Sequence, residues 1–255
     1  MYTISLDKMR SSNKDRAGAK GATLGEIISL GLPVPPGFVV TTEVWEEWRE
    51  GGVSAEVAHA IETASDLLKT ERFAVRSSAT VEDGSDSAWA GQFRTFLDVD
   101  QEHLVAKVCE CMASALLPGA RAYGEQKSVR AENVPVAVVV QAMIHPATAG
   151  VAFSMNPVTG NRDQALIEAV SGLGLGVVDG TQTPDTYIFS KLDRSVVSIQ
   201  SGVDSSPGVL QGAHAQDILQ HVLTLEAHFG CPQDMEWAYA HEVCWVLQSR
   251  PVTTL

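Results

Sequence analysis

The chain has 255 residues, 45% of them hydrophobic and 19% charged, which is enough apolar material for a substantial core and excludes an intrinsically disordered chain. Its 31 acidic residues outweigh 18 lysines and arginines, for a formal charge of −13. A surface this acidic repels nucleic acid and anionic membranes, so neither is an expected partner, and an anionic ligand needs a local basic pocket.

The opening MYTISLDKMRSSNKDRAG lacks the apolar stretch of a signal peptide, and no apolar run approaches the length of a membrane span. Cys109, Cys111, Cys231 and Cys244 form no CxxC pair, which predicts free thiols in a reducing, cytoplasmic compartment.

In chain order, residues 17–31 (AGAKGATLGEIISLG) predict a glycine-rich loop feeding a short helix that stops at Gly31. LPVPPGFVVTT reads as a proline-stiffened turn into a strand, and EVWEEWRE as a helix. Residues 54–70 place Val57, Ala60, Ile61, Ala64, Leu67 and Leu68 on one helical side. FAVR is a strand ending at Arg76, followed by a small polar loop and a second strand, FRTFLDV. Residues 101–125 read as helix and 126–133 as a polar connector. PVAVVVQAMI is uninterrupted and apolar, the pattern of a strand central in its sheet.

AGVAFSMNP and QALIEAV are two further strands around a TGNRD turn, and SGLGLGVVDG is a glycine-rich loop. TYIFSKLDRSVVSIQ predicts a hairpin turning at Asp193-Arg194. AQDILQHVLTLEAHFG is an amphipathic helix with Ile218, Val222, Leu225 and Phe229 on its stripe. MEWAYAHEVCWVLQSRP closes the chain as two strands about a tight turn at Ala240 and His241. The expected division is an N-terminal lobe over residues 1–140 and a second lobe over 141–255.

Three basic residues stand in small, polar surroundings: Lys20 in GAKGAT, Arg76 in VRSSAT and Arg250 in LQSRPV. Glycines let backbone N–H groups approach an anion, and arginine's fork grips two oxygens at once. The alternative is a solvated lysine and two arginines paired with acids. Glu236 and Gln248 lie on the closing strands, on one sheet but, with the turn at 240–241, not directly opposed. A carboxylate and an amide oxygen, with phosphate and water completing the shell, suit Mg²⁺. The alternative is a Glu236–Arg250 ion pair holding the hairpin. His214, His221 and His228 recur every seven residues, but successive members lie about 10 Å apart along a helix, too far for one metal. They read as packing residues.

Taken in order, AGAKGATLGEIISLGLPVPPGFVVTT, FAVRSSATVEDGSDSAWAGQFRTFLDV, VAVVVQAMI, AGVAFSMNPVTGN, IEAVSGLGLGVVDGTQTPD and DMEWAYAHEVCWVLQSRPVT resemble the ATP-binding domain shared by pyruvate phosphate dikinase, phosphoenolpyruvate synthase and rifampin phosphotransferase. The resemblance runs nearly end to end. It implies an α+β, ATP-grasp fold whose two lobes clamp ATP between them. It also implies that Lys20 and Arg76 grip phosphate and that Ser77 and Thr80 belong to a mobile lid from Ser77 to Gly91. Gln141 and Met143 then border adenine, Glu168 the ribose, Glu236 and Gln248 hold Mg²⁺, and Arg250 steadies the transferring phosphoryl group. Two departures stand out: Leu175 occupies the acid position of the family's GLGE, and the region between Phe96 and Pro135 is shorter than usual.

The family's TSH-type phosphohistidine motif does not occur among these residues. The resemblance therefore implies phosphoryl transfer to a histidine on a separate phosphohistidine-domain protein and on to a small-molecule acceptor, with AMP and phosphate released. A self-contained ATP-grasp kinase or ligase acting directly on a small acceptor is the second reading. An idle nucleotide-binding module is the third, and the joint presence of Lys20, Arg76, Glu236, Gln248 and Arg250 argues against it.

Overall fold

The apolar run expected at the centre of a sheet is central in the computed structural model, which describes residues 1–80, 94–116, 134–174, 176, 180–202 and 209–252. The chain divides into two units, Met1–Leu30 with Pro35–Met143, and Gly31–Val34 with Ile144–Leu255. The first ends at Met143 because its last strand runs through Ala142 and the Met143 N–H still donates to the Arg72 carbonyl at 2.9 Å. Gly31–Val34 belongs with the second, where the Val246 N–H donates to the Pro33 carbonyl at 2.8 Å.

The first unit holds a five-stranded antiparallel sheet in the order β1 (Thr3–Ser5), β2 (Gly37–Val40), β5 (Val136–Ala142), β3 (Arg72–Ala79), β4 (Thr95–Asp100). One face of β5, through Val136, Val138 and Val140, packs with Phe73, Val75, Phe38 and Val40. Trp45 of α2 (Thr42–Gly51), Ile61 of α3 (Ala55–Asp66), and Leu104 and Met112 of α4 (Leu104–Ala113) close this core. The Ser54 hydroxyl caps α3 by accepting from the Val57 N–H. The opposite face of the sheet carries α1 (Lys14–Ser29), where Gly21 comes close to Val39 and Val139. A strand covered on both faces needs an unbroken apolar run.

Two local expectations are corrected. The strand that begins at Arg72 does not end at Arg76: Ser77, Ser78 and Ala79 continue the ladder opposite Val138, Ala137 and Val136. Small hydroxyl residues survive there because the buried Ser78 hydroxyl is hydrogen-bonded within the unit, to the backbone of α1. The glycine-rich stretch at 17–21 is likewise helical rather than a loop, interrupted only at Gly18. Residues 117–125 of the long predicted helix, the connector, most of the polar loop and Leu175 lie outside the described residues.

The second unit holds a six-stranded antiparallel sheet in the order β11 (Val243–Pro251), β10 (Gln233–Ala240), β6 (Thr148–Phe153), β7 (Gln164–Ser171), β8 (Asp185–Ser190), β9 (Val196–Gln200). Helix α5 (Gly212–Phe229) lies against β10, β11, β6 and β7 and buries Ile218, Leu219, Val222 and Leu225, with Phe229 half-buried. His214 is half-buried and stacks on Tyr239 at 3.9 Å, the packing role expected of it, whereas His228 is exposed and meets its neighbour Phe229 edge-on. Among the described residues, no helix is long and apolar enough to cross a membrane.

The closing turn is at His241-Glu242 rather than Ala240-His241, since Ala240 pairs with Val243. Both turn residues have positive φ, 50° and 59°. A two-residue hairpin loop of this hand matches the twist of its strands but favours Asn-Gly. Replacing His241-Glu242 with Asn-Gly should therefore stabilise the chain by about 1 kcal/mol, the lower end of the cost of a left-handed non-glycine residue. Urea denaturation measures it, and an unchanged or lowered midpoint shows that the turn stores no strain.

Candidate functional site

In the first unit, the site is built on a defect in α1. Gly18 has φ +67° and ψ 175°, so the backbone leaves the helix for one residue, and a Cβ there would lie 1.9 Å from the Ser78 carbonyl oxygen. Only glycine meets both conditions. The close approach delivers Lys20 to β3, where its Nζ donates to the Ser77 carbonyl at 3.1 Å. Arg76 is half-buried on β3 between Thr95 and Val139 and, two residues from Ser78, shares its face of the sheet, the face that carries α1.

The remaining sequence-predicted residues of this unit are placed less uniformly. The Ser77 side chain is buried on the opposite, apolar face with Val75 and Val138, so Ser77 meets Lys20 through its carbonyl alone. Thr80 is half-buried just past the strand, with its N–H on the Pro135 carbonyl at 3.2 Å. Gln141 is buried opposite Ala74 and donates its Nε2 to the Pro35 carbonyl at 3.2 Å. Met143 is half-buried.

In the second unit, the sheet face turned away from α5 collects the polar residues. Glu236 pairs directly with Gln248, a correction to the expectation that they are not opposed. The cause is a β-bulge beside Glu236: pairs from Trp237–Val246 to the turn sum to one register, and pairs from Glu236–Gln248 outward are shifted by one, leaving Leu247 as the extra residue. Asp234 pairs with Arg250, whose Nε donates to Asp234 Oδ2 at 2.8 Å. Glu236 also lies opposite Val151, and Val151 opposite Glu168, so Glu168 shares the face about 10 Å across the sheet.

These acids disturb one another. Burial pushes the Asp234 carboxyl above its ordinary value, Glu236 pushes it further, and the Arg250 guanidinium pulls it back. Burial, with the charge of Asp234, raises Glu168 as well. Such a face favours a bound cation, and a cationic partner relieves its repulsion. Among the described residues no three His, Cys, Asp or Glu side chains converge tightly enough to hold a metal by themselves. Glu236 and Gln248 place a carboxylate and an amide directly opposite each other on this face. Asp234 was missed by the sequence reading. The available signal was its spacing, two residues before Glu236, which puts both acids on one face of a strand.

Residues 14–69 and 49–255 match the family model for the pyruvate phosphate dikinase AMP/ATP-binding domain. The chain belongs to that family. A probable phosphoenolpyruvate synthase of Methanocaldococcus jannaschii is 32% identical over 98% of this chain and 26% of its own length. A second, of Archaeoglobus fulgidus, is 32% identical over 93% of this chain and 40% of its own length. The chain therefore spans well under half the length of these relatives. Among solved structures, D-alanyl-alanine synthetase A of Vibrio cholerae aligns with 97% of this chain and 58% of its own at a TM-score of 0.48 and 11% identity, a loose likeness.

The raised Glu168 carboxyl has a consequence for stability. The folded chain holds this proton more tightly than the unfolded one, so stability falls as pH rises from the ordinary value of 4.5 through the higher folded value. Glu168→Gln removes the ionisation. The variant should be more stable than the parent at pH 7 and lose that advantage below pH 4.5. Thermal melting across this range checks it, and a variant less stable at pH 7 contradicts the assignment.

Proposed function

We propose that the chain binds ATP with Mg²⁺ and moves a phosphoryl group from it, as the nucleotide-handling part of a dikinase-type phosphotransferase built on the ATP-grasp plan. What supports this most is the division of charge: a lysine held on β3 and an arginine of that strand in the first unit, and a crowded acidic face bearing Glu236, Gln248 and Arg250 in the second. Membership of an AMP/ATP-binding domain family and relatives named phosphoenolpyruvate synthase point the same way.

In this reading, Lys20 and Arg76 hold phosphate oxygens, Ser77 steadies Lys20 through its carbonyl, and Thr80 lies on the same side. Gln141 and Met143 border adenine, and Glu168 accepts from the ribose. Glu236 and Gln248 hold the cation, which when bound draws negative charge off the phosphate oxygens. Arg250, fixed by Asp234, faces the group being transferred. There is little covalent chemistry for such residues to perform: they position the phosphates and offset charge as it shifts. The β-phosphoryl group passes to a histidine of a separate phosphohistidine-domain protein as its bond to AMP breaks. Water then releases the terminal phosphate, and the histidine hands its phosphoryl group to a small acceptor.

Lys20→Ala and Arg76→Ala should each lose on the order of 10²-fold in rate, the scale for removing a charge partner of the transition state. Arg76→Lys should not rescue, because a point charge cannot replace the fork. Near-normal kinetics in the lysine variant make Arg76 structural. Glu236→Ala and Gln248→Ala should abolish turnover with the fold intact, and wild-type rates in both sink the cation assignment.

Nucleotide products decide the route. The purified chain with Mg²⁺ and ATP should turn over little nucleotide alone and yield AMP and phosphate once a phosphohistidine-domain protein and the acceptor are added. Rapid ADP formation with a small acceptor and no second protein replaces this reading with the direct kinase or ligase.

A further inference from the structure

Ser78 stands at both ends of a hydrogen bond that α1 would make with itself if it were continuous. In a regular helix the Gly21 N–H donates to the Ala17 carbonyl, four residues back. Here the Gly21 N–H donates to Ser78 Oγ at 3.1 Å, and the same hydroxyl donates to the Ala17 carbonyl at 2.7 Å. The serine comes from β3, is fully buried, and sits where Gly18 breaks the helix. A side chain inserted into the helical ladder is a recognised cause of a kink.

We infer that Ser78 is a positioning residue for Lys20: its hydroxyl wedges α1 open between Ala17 and Gly21 and fixes the direction in which the Lys20 ammonium points. The inference rests on the proposed role of Lys20 in gripping nucleotide phosphate. Three contacts within a few residues tie the segment to β3, and each constrains a different part. Gly18 permits the approach, the Ser78 hydroxyl satisfies the two backbone groups opened by the break, and the Ser77 carbonyl receives the lysine. Arg76 lies on the same strand face as Ser78, so one hydroxyl sets the lysine in register with the arginine.

Ser78→Ala removes the wedge. The Gly21 N–H and Ala17 carbonyl are then left to find each other, which they do by closing the helical turn and rotating Lys20 away from β3. Buried serine hydroxyls also serve plain packing, and the two roles separate in a double-mutant cycle. The affinity of the full chain for Mg²⁺-ATP is measured by titration calorimetry for the parent, Ser78→Ala, Lys20→Ala and the double variant. Melting curves confirm that each is folded.

Ser78→Ala should weaken ATP binding about tenfold, the lower end of the range for groups that orient a binding residue. In the Lys20→Ala background the same change should have almost no effect, because the lysine it positions is gone. If Ser78→Ala fails to fold, Ser78→Cys, nearly isosteric with a weaker donor and acceptor, takes its place in the cycle. Equal losses in both backgrounds, or no loss in either, overturn the inference while leaving the phosphate role of Lys20 intact. An unchanged affinity in Lys20→Ala alone overturns that role instead, and the positioning inference with it.

Discussion

The two-residue alternation of antiparallel strands decides which face each strand side chain takes, and one interruption of it decides which polar groups share a face in the second unit. On β11, Cys244, Val246, Gln248 and Arg250 are all of one parity, and a regular strand would send them to one face. Val246 is buried opposite Trp237, so a regular strand would have sent Gln248 and Arg250 toward the same apolar side. The bulge at Leu247 exchanges the faces. Beyond it, Gln248 and Arg250 join Glu236 and Asp234, and Ser249 takes the inward position, where it donates to the buried Gln233. A single unpaired residue thereby keeps one stretch of strand apolar on the helix side and ionic on the other.

The first unit solves a related problem by the opposite means. There the ladder is kept regular through Ser77–Ala79, and the irregularity is moved into the helix that lies over it. A lysine amine brought to a half-buried position needs acceptors, and the Ser77 carbonyl supplies one.

How legible all this was depends on the kind of information each feature needs. The central strand was readable because burial on both faces leaves an unbroken run of valines, and α5 because its stripe repeats at helical spacing. The break in α1 was not readable as such. Glycines at 18 and 21 announced an unusual backbone, but whether it was a loop or a wedged helix depends on Ser78, some sixty residues away in sequence. The bulge was hidden for the same reason. Nothing in WVLQSRP marks Leu247 as surplus until β10 fixes which of its neighbours must be buried. A turn with two non-glycine residues at positive φ also defeats a reading based on Asn and Gly, and it displaced the expected turn by one residue. Asp234 stayed unremarked because its role is set by its cross-strand partner Arg250 rather than by its neighbours in sequence.

The acidic face and the basic cluster also answer one question about charge. Burial, and after it the charge of a neighbouring acid, raises the proton affinity of Asp234 and Glu168, a standing cost to the fold. Arg250 offsets that cost at Asp234, and it does so while paired across the hairpin in direct register. The cross-strand partners of Glu236 and Glu168 are Gln248, Val151 and Thr186. A divalent cation suits such a surface better than a bare polyanion does, because it relieves the repulsion among the acids. On the proposed reading, the same acids that burden the fold select for nucleotide that arrives with its metal.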